Sequence, residues 1–207
     1  MLPSMTLSLP AFTGPELVGL VVAVSFASGL NVYAMVATLG LLAHTSLLTL
    51  PSSLHLLATW WVIAASAALF VVEFFADKIP AFDLFWNALH TFVRVPVAAL
   101  IAYQASTQLS PERQLLATLA GATIALVVHG GKIAARAAIT PSPEPASNIA
   151  LSTGEDALAV FLTWFATQHP IAAAVIALVL LTGIILAARW LLRAISRAFR
   201  KAFANGA

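Results

Sequence analysis

The chain has 207 residues, of which 61% are hydrophobic and only 9% are charged, and its mean hydropathy is +0.97. A soluble domain of this length cannot bury so much apolar surface, so the composition excludes an ordinary soluble protein and predicts a membrane protein. Cysteine is absent, which excludes disulfides, thiolate catalysis and cysteine metal sites.

A transmembrane helix needs about 20 mainly apolar residues, and the chain has room for roughly six such segments. We therefore expect an all-α, polytopic transmembrane helical bundle formed by a single domain over residues 1–188, with some helices broken or re-entrant. Residues 189–207 form a basic amphipathic tail that contains Arg189, Arg193, Arg197, Arg200 and Lys201. The positive-inside rule places this tail on the cytoplasmic face against anionic lipids, and nucleic acid is not expected as a partner.

The first helix is predicted to start at Thr13, which can cap free amides while Glu16 reaches back to it. Its middle, Ser28-Gly29-Leu30-Asn31, is poor helix sequence at a depth where unpaired backbone is costly. Either a neighbouring helix packs closely on Gly29, or the helix breaks near Asn31 and its freed backbone groups line a polar cavity.

A second helix is predicted from about Ser53 to Lys78. Glu73 and Asp77 are four residues apart and share one face of it. They either simply meet water at the end of a span or, because apolar residues surround Glu73, lie buried as part of a functional site.

The third helix follows Ile79-Pro80 and carries a polar stripe at i, i+4, i+7 and i+11, formed by Asp83, Asn87, His90 and Arg94. This pattern favours a crossing or re-entrant helix that faces the protein interior, with a kink at Pro96. An amphipathic helix at the membrane surface is the alternative.

The fourth helix is predicted to start at Ser110-Pro111 and places His129, Lys132 and Arg136 on one face near its end. These three belong to a polar site or simply mark a cytoplasmic helix end.

The three prolines in residues 141–145 predict an extended segment, which continues to Asn148 and contains Glu144. Ser152 and Glu155 have capping-box spacing, so the next helix is expected to have only twelve residues after Asp156. Its polar start is either sunk below the membrane surface or belongs to a half-helix that points its amides into the protein.

A faint repeat pairs Leu56–Thr59, ahead of Lys78, with Leu115–Thr118, ahead of Lys132. It suggests two related units around a shared polar centre, which is a common plan in transporters.

Taken together, these motifs resemble an uncharacterised bacterial membrane family, the domain of unknown function numbered 4126. The resemblance covers residues 16 to 168 and rests on residues 27–31, residues 73–80, His90 to Arg94 with Pro96, Lys132 with Arg136, residues 142–148, and Glu155-Asp156. Asn87 stands where the family pattern usually has an acid, which puts in doubt a role that needs a second charge there. The resemblance implies a polytopic fold in a bacterial inner membrane and brings no established activity.

The leading functional hypothesis is a small transporter or channel that moves a small solute or ion, with or without proton coupling. Buried acids and bases lower each other's desolvation cost only where they meet, so the polar segments should converge on one pathway. The expected pathway residues are Asn31, Glu73, Asp77, Lys78, Asp83, His90, Arg94, His129, Lys132, Arg136, Glu144, Asn148, Glu155 and Asp156.

Two alternatives stay open. An intramembrane enzyme that acts on a lipid or prenyl phosphate would hold a divalent metal between acids such as Asp77 with Asp83, or Glu155 with Asp156. A lipid-binding or scaffolding protein would use the charges only to brace its helices. The sequence predicts no cofactor, and it leaves the presence of a metal and the formation of a homo-oligomer undecided.

Overall fold

The computed structural model describes residues 12–79, 82–139 and 145–204, and every regular element within these ranges is a helix. In chain order the elements are α1 (Gly14–Leu30), α2 (Val32–His44), a 3₁₀ helix (Ser52–Ala58), α3 (Trp60–Ala76), α4 (Phe82–Ala105), α5 (Pro111–Ile139), α6 (Pro145–Gln168) and α7 (Pro170–Ala204). The predicted all-α class is confirmed.

Four described helices, α4 to α7, each contain a segment long and apolar enough to cross a membrane. The 3₁₀ helix and α3 pass the same test together, with a bend of 60° between them, and provide a fifth crossing if the pair is one span. α1 and α2 are apolar but shorter, with 17 and 13 residues. The described part of the chain therefore has four to five candidate spans, as expected for a multi-pass membrane protein, and one bent pair of helices that forms a broken span or a re-entrant loop.

The starts of α1 and α5 agree with the sequence prediction. The backbone N–H of Thr13 donates to Glu16 Oε2 at 2.8 Å, so Glu16 satisfies an amide ahead of the first turn of α1. Pro111 occupies the first position of α5, where its missing N–H costs no helical hydrogen bond. α4 runs without interruption through Pro96.

The second predicted helix is broken rather than continuous. Residues Ser52–Ala58 form the 3₁₀ helix, Thr59 is extended with φ −76° and ψ 136°, and α3 begins at Trp60. The 3₁₀ helix packs tightly on α2, because a Cβ added to Gly40 would lie 2.4 Å from the carbonyl oxygen of Leu57. The bend lets the two halves of this segment pack in different directions.

The prediction of a short helix after Asp156 is wrong. α6 begins at Pro145 and has 24 residues, so Ser152 and Glu155 lie inside it and do not form a capping box. Pro145 is tolerated because the first position of a helix needs no N–H donor. Residues 145–148 are therefore helical rather than extended, and residues 140–144 lie outside the described ranges.

α1 is the central helix of the fold. It packs against α4, α5, α6 and α7, and most of its residues are buried. Small residues allow these neighbours to approach closely. A Cβ added to Gly19 would lie 2.6 Å from the carbonyl oxygen of Pro170, and one added to Gly29 would lie 2.7 Å from Val128 Cβ. The close packing expected at Gly29 is thus present, and its partner is α5.

The two stretches of the faint repeat have different local structures. Leu56–Thr59 lies at the end of the 3₁₀ helix and in the bend before α3, whereas Leu115–Thr118 lies within the continuous helix α5. The internal repeat therefore stays a prediction.

Candidate functional site

The candidate site is built around the break between α1 and α2 at Asn31. Asn31 is extended, with φ −151° and ψ 104°, and it is fully buried. Its Oδ1 accepts a hydrogen bond from the backbone N–H of Ala34 at 2.9 Å and so caps α2. The helix packs closely at Gly29 and also breaks two residues later, so the predicted close packing and the predicted break are both present. The polar cavity expected with the break is not among the described cavities, since buried cations bind the freed carbonyl groups.

The carbonyl groups freed at the end of α1 are bound by cations. Arg94 Nη1 of α4 donates to the carbonyl oxygen of Gly29 at 3.3 Å, and Lys132 Nζ of α5 donates to that of Leu30 at 3.2 Å. Ser28 Oγ donates to the carbonyl oxygen of Arg94 at 3.2 Å, which ties α1 to α4 at the same depth. Two positive charges therefore face the C-terminal end of a helix, where the peptide dipoles favour them.

The two acids of α3 meet these cations. Glu73 Oε1 accepts a hydrogen bond from Arg94 Nη2 and lies 3.5 Å from Lys132 Nζ. Asp77 Oδ2 lies 2.7 Å from Lys132 Nζ and 3.2 Å from Arg136 Nη2. Arg136 Nη1 also donates to the backbone carbonyl of Asp77 at 2.8 Å. The shared face predicted for Glu73 and Asp77 is confirmed, and it points to the protein interior.

The two acids of α6 complete the arrangement and have different partners. Glu155 Oε2 lies 2.6 Å from Arg136 Nη2 and 3.6 Å from Lys132 Nζ. Asp156 Oδ1 accepts a hydrogen bond from Asn31 Nδ2 at 2.8 Å, so this carboxyl group contacts the α1–α2 break directly. We call the seven residues Glu73, Asp77, Arg94, Lys132, Arg136, Glu155 and Asp156 the ionic cluster.

The ionic cluster is sealed from its surroundings. The side chains of its members on α3, α4 and α5 are fully buried, and that of Glu155 is 10% exposed. Burying an ion costs several kcal/mol even after relaxation, so each charge has to be offset by partners within the cluster.

A neutral histidine extends the cluster along α4. Arg94 Nη1 lies 2.9 Å from His129 Nδ1, and because arginine can only donate, this nitrogen must accept. His129 Nε2 then carries the proton and donates to the carbonyl oxygen of Asn87 or to Thr91 Oγ1, both at 2.9 Å. His129 therefore adds no charge to the cluster.

His90 links α4 to α2. Its Nδ1 donates to the carbonyl oxygen of Trp86 at 2.7 Å, and its Nε2 lies 3.0 Å from the hydroxyl group of Tyr33. Tyr33 also lines an apolar cavity of about 350 Å³ between α2, α3 and α4, together with Val36, Trp61 and Val97. This cavity reaches the bundle interior next to His90.

The predicted pathway residues are thus mostly brought together. Of the expected pathway set, the structure gathers Asn31, Glu73, Asp77, His90, Arg94, His129, Lys132, Arg136, Glu155 and Asp156 around the break. Lys78 is placed apart, with its ammonium group 3.0 Å from the centroid of the Phe74 ring and donating to the carbonyl oxygen of Phe74. Glu144 lies outside the described residues, as do the side chains of Asp83, Asn148, Arg200 and Lys201.

Sequence reasoning missed three contributors to the site, namely Ser28, Tyr33 and Thr91. Thr91 follows Asn87 by four residues, so the polar stripe of α4 already contained the signal for it. Ser28 and Tyr33 flank Asn31, and their roles depend on helices that are far away in sequence.

The positions of the acidic side chains can be compared with the pairs that the sequence suggested as metal ligands. Glu155 and Asp156 turn to separate partners, Arg136 and Asn31, and do not share a common position. Among the described residues, no group of three His, Asp or Glu side chains is arranged to hold a metal ion. The pair of Asp77 with Asp83 involves a side chain outside the described ones.

Comparison with known proteins gives a family and no activity. Comparisons with curated proteins and with solved structures found no match. Residues 18–190, most of the chain, match the profile of the family described as domain of unknown function DUF4126. The chain therefore belongs to the DUF4126 family.

Proposed function

We propose that this protein is a small membrane transporter that moves a small solute or ion, with coupling to protons, through the region now closed by the ionic cluster. The observation that carries this proposal is the convergence of seven ionisable side chains from α3, α4, α5 and α6 on the helix break at Asn31. Ionisable residues inside a membrane are costly and typically mark transport pathways and proton relays.

The energetic cost of the ionic cluster favours a role other than holding the helices together. Replacing a buried ion pair by well-packed apolar residues is often neutral or stabilising, so a scaffold gains little from seven buried charges. A discontinuous helix at the centre of a bundle is also the feature that many secondary transporters use to bind solutes and ions. Both features meet at Asn31 in this chain.

The closed state favours a transporter over an open channel. Arg94 and Arg136 are fully buried, so the region around them is closed to solvent in this structure. Transport would require the ion pairs between α3, α5 and α6 to separate and re-form. The apolar cavity lined by Tyr33 lies beside this region and offers a lateral approach through α2, α3 and α4.

The basic end of α7 is proposed to fix the protein in the membrane. Arg189, Arg193 and Arg197 recur every four residues and are exposed, so they lie along one side of the helix. We propose that this stripe binds anionic lipid headgroups on the cytoplasmic face of a bacterial inner membrane.

The test uses the absence of native cysteine. Ser28 is fully buried and donates to the carbonyl oxygen of Arg94, so Ser28→Cys introduces one thiol of similar size at the centre. In a transporter, the cluster opens to each side of the membrane in turn. A charged, membrane-impermeant thiol reagent should therefore label this cysteine both in right-side-out vesicles and in inside-out vesicles.

Two control variants show how the reagent labels an exposed cysteine and a lipid-facing cysteine. Ser110→Cys, at an exposed position between α4 and α5, should be labelled rapidly from one side only, and Val179→Cys, on the exposed apolar face of α7, should resist a charged reagent. Labelling of Ser28→Cys only after denaturation would show a permanently closed scaffold and overturn the proposal.

A further inference from the structure

The ionic cluster contains more carboxyl groups than cations. Within the described residues it holds four carboxyl groups, which are those of Glu73, Asp77, Glu155 and Asp156, and three cations, which are Arg94, Lys132 and Arg136. His129 cannot supply the missing positive charge, because its Nδ1 accepts from Arg94. Lys78 lies near Asp156 but does not belong to the cluster, because its ammonium group donates to the carbonyl oxygen of Phe74 and forms no ion pair within 4.0 Å among the described residues. A sealed cluster with one excess negative charge would carry a large desolvation cost.

Asp156 differs from the other three acids. Glu73, Asp77 and Glu155 each have an oxygen within 4.0 Å of at least two cationic groups. Asp156 forms no such ion pair among the described side chains. Its Oδ1 accepts from the neutral amide of Asn31, and its Oδ2 has no hydrogen-bond partner in the described part of the chain although the residue is only 4% exposed.

The groups around Asp156 decide whether its carboxyl group is protonated. The charged groups that bear on it are Glu73 of α3, Asp77 and Lys78 just after α3, and Lys132 of α5. Lys132 is shared by Asp77, Glu73 and Glu155, and Arg136 is bound to Asp77 and Glu155, so among the described ion pairs no cation lies within 4.0 Å of Asp156. From α1 the contact is the amide side chain of Asn31, and the described arginines of α7 are exposed near its C-terminal end.

We propose that Asp156 is the proton-binding site of the ionic cluster and that it holds a proton in this closed state. The proton resides on Oδ2, and Oδ1 keeps accepting the hydrogen bond of Asn31. The cluster is then neutral, with three carboxylates and three cations. This inference rests on the proposed transport function in one respect, since it makes Asp156 the group through which protons enter the transport cycle.

The contact with Asn31 couples the protonation of Asp156 to the conformation of the break between α1 and α2. Asn31 uses Oδ1 to cap α2 and Nδ2 to bind Asp156, so one side chain joins the carboxyl group to the hinge between α1 and α2. Loss of the proton places a negative charge beside this hinge that the closed cluster cannot neutralise. The charge then favours an arrangement in which water or a solute cation reaches Asp156.

The first test is infrared spectroscopy of the full-length protein in lipid nanodiscs at neutral pH. A protonated carboxyl group has a C=O band that is separate from the carboxylate bands. We expect one such band in the wild type, lost in Asp156→Asn and retained in Glu112→Gln, which alters an exposed acid in the first turn of α5, outside the cluster. Wild-type protein made with ¹³C-labelled aspartate should shift the band, whereas labelled glutamate should not, so the test does not depend on how the variants fold.

The outcomes separate the two proposals. Absence of the band in the wild type, its persistence in Asp156→Asn, or a shift with labelled glutamate overturns the assignment whether or not the protein transports. Stabilisation of the wild type by added sodium ions, lost in Asp156→Asn, together with no band would replace the proton by a metal cation and also overturn it. Failure of the Ser28→Cys labelling test instead overturns the transport proposal and leaves the band as evidence for a protonated Asp156.

The second test measures the link to opening. In Ser28→Cys, the labelling rate divided by that of the exposed Ser110→Cys at the same pH should rise as the pH moves from acidic to alkaline, because proton release favours opening. The division removes the ionisation of the thiol itself from the comparison. In the double variant Ser28→Cys with Asp156→Asn this pH dependence should be lost. An unchanged pH dependence in the double variant would show that another group controls opening, and would overturn the coupling role of Asp156.

Discussion

Lys132 joins three helices at the centre of the ionic cluster. Its Nζ lies 2.7 Å from Asp77, 3.5 Å from Glu73 and 3.6 Å from Glu155, and it also donates to the carbonyl oxygen of Leu30. The residue therefore offsets charge on both α3 and α6 while it satisfies the end of α1.

We expect Lys132→Met to lower the free energy of unfolding by about 3–5 kcal/mol, because breaking a buried ionic arrangement leaves uncompensated charges. Lys78→Met is the matched control, since among the described residues the ammonium group of Lys78 contacts Phe74 and forms no ion pair within 4.0 Å, and it should cost less than about 1 kcal/mol. Thermal unfolding in one detergent measures both variants. Equal losses would contradict the central role given to Lys132.

The protonation of Asp156 also predicts the pH dependence of stability. If the folded protein holds a proton that the unfolded chain releases at neutral pH, unfolding releases that proton and stability must fall as the pH rises. The slope is at most about 1.4 kcal/mol per pH unit for one proton. Thermal midpoints of wild type and Asp156→Asn across neutral pH should show a smaller slope in the variant. Parallel curves would contradict the prediction.

At the scale of the helices, the close approach of α1 to α5 permits the cluster to form. A Cβ added to Gly29 would lie 2.7 Å from Val128 Cβ and 2.8 Å from the carbonyl oxygen of Ala125. Because the backbone of α5 cannot move without shifting Lys132, the separation of these helices controls the hydrogen bond from Lys132 to Leu30.

We expect Gly29→Ala to destabilise the protein by about 1–3 kcal/mol through overpacking at this contact. Gly130→Ala is the matched control in α5, since no atom lies within 4 Å of the added Cβ and alanine favours helix. The control should be neutral or slightly stabilising in the same thermal unfolding measurement. A tolerated Gly29→Ala would show that the two helices can separate without loss.

At the scale of the whole molecule, the number of crossings decides whether the two ends of the chain lie on the same side of the membrane. The sequence predicts about six, and the described residues provide four long apolar helices, or five when the bent pair of the 3₁₀ helix and α3 is one span. A sixth crossing requires α1 and α2 to act together as one interrupted span. The basic end of α7 should then lie on the cytoplasmic side.

This orientation can be measured with reporters fused to the C-terminus in bacterial cells. Green fluorescent protein should fluoresce there, and alkaline phosphatase, which needs an oxidising compartment, should be inactive. Replacing Arg189, Arg193, Arg197, Arg200 and Lys201 by glutamine should produce a mixed orientation, whereas replacing the four arginines by lysine should preserve it, because the rule depends on charge. Active phosphatase on the wild-type chain would contradict the predicted side.

Individual polar residues show how far sequence patterns reach. Helical spacing was sufficient to place Glu73 with Asp77, and His129 with Lys132 and Arg136, because such spacing fixes one face of a helix whatever surrounds it. Spacing failed at Ser152 and Glu155, where the same four-residue pattern that caps a helix lies inside α6. A local pattern cannot tell a helix start from a helix interior when the decisive residue, Pro145, lies several positions earlier.

Composition by itself predicted a membrane protein, and apolar segments of about 20 residues predicted helices, because lipid offers no hydrogen bonds and the backbone must satisfy its own. The sequence also indicated that the buried charges would gather, since isolated ions are too costly there. Which cation meets which acid was decided only by the tertiary structure. The packing of α1 on α5 and the bend before α3 set the distances around Asn31, and these distances leave Asp156 as the acid of the cluster with no ion pair within 4.0 Å among the described residues.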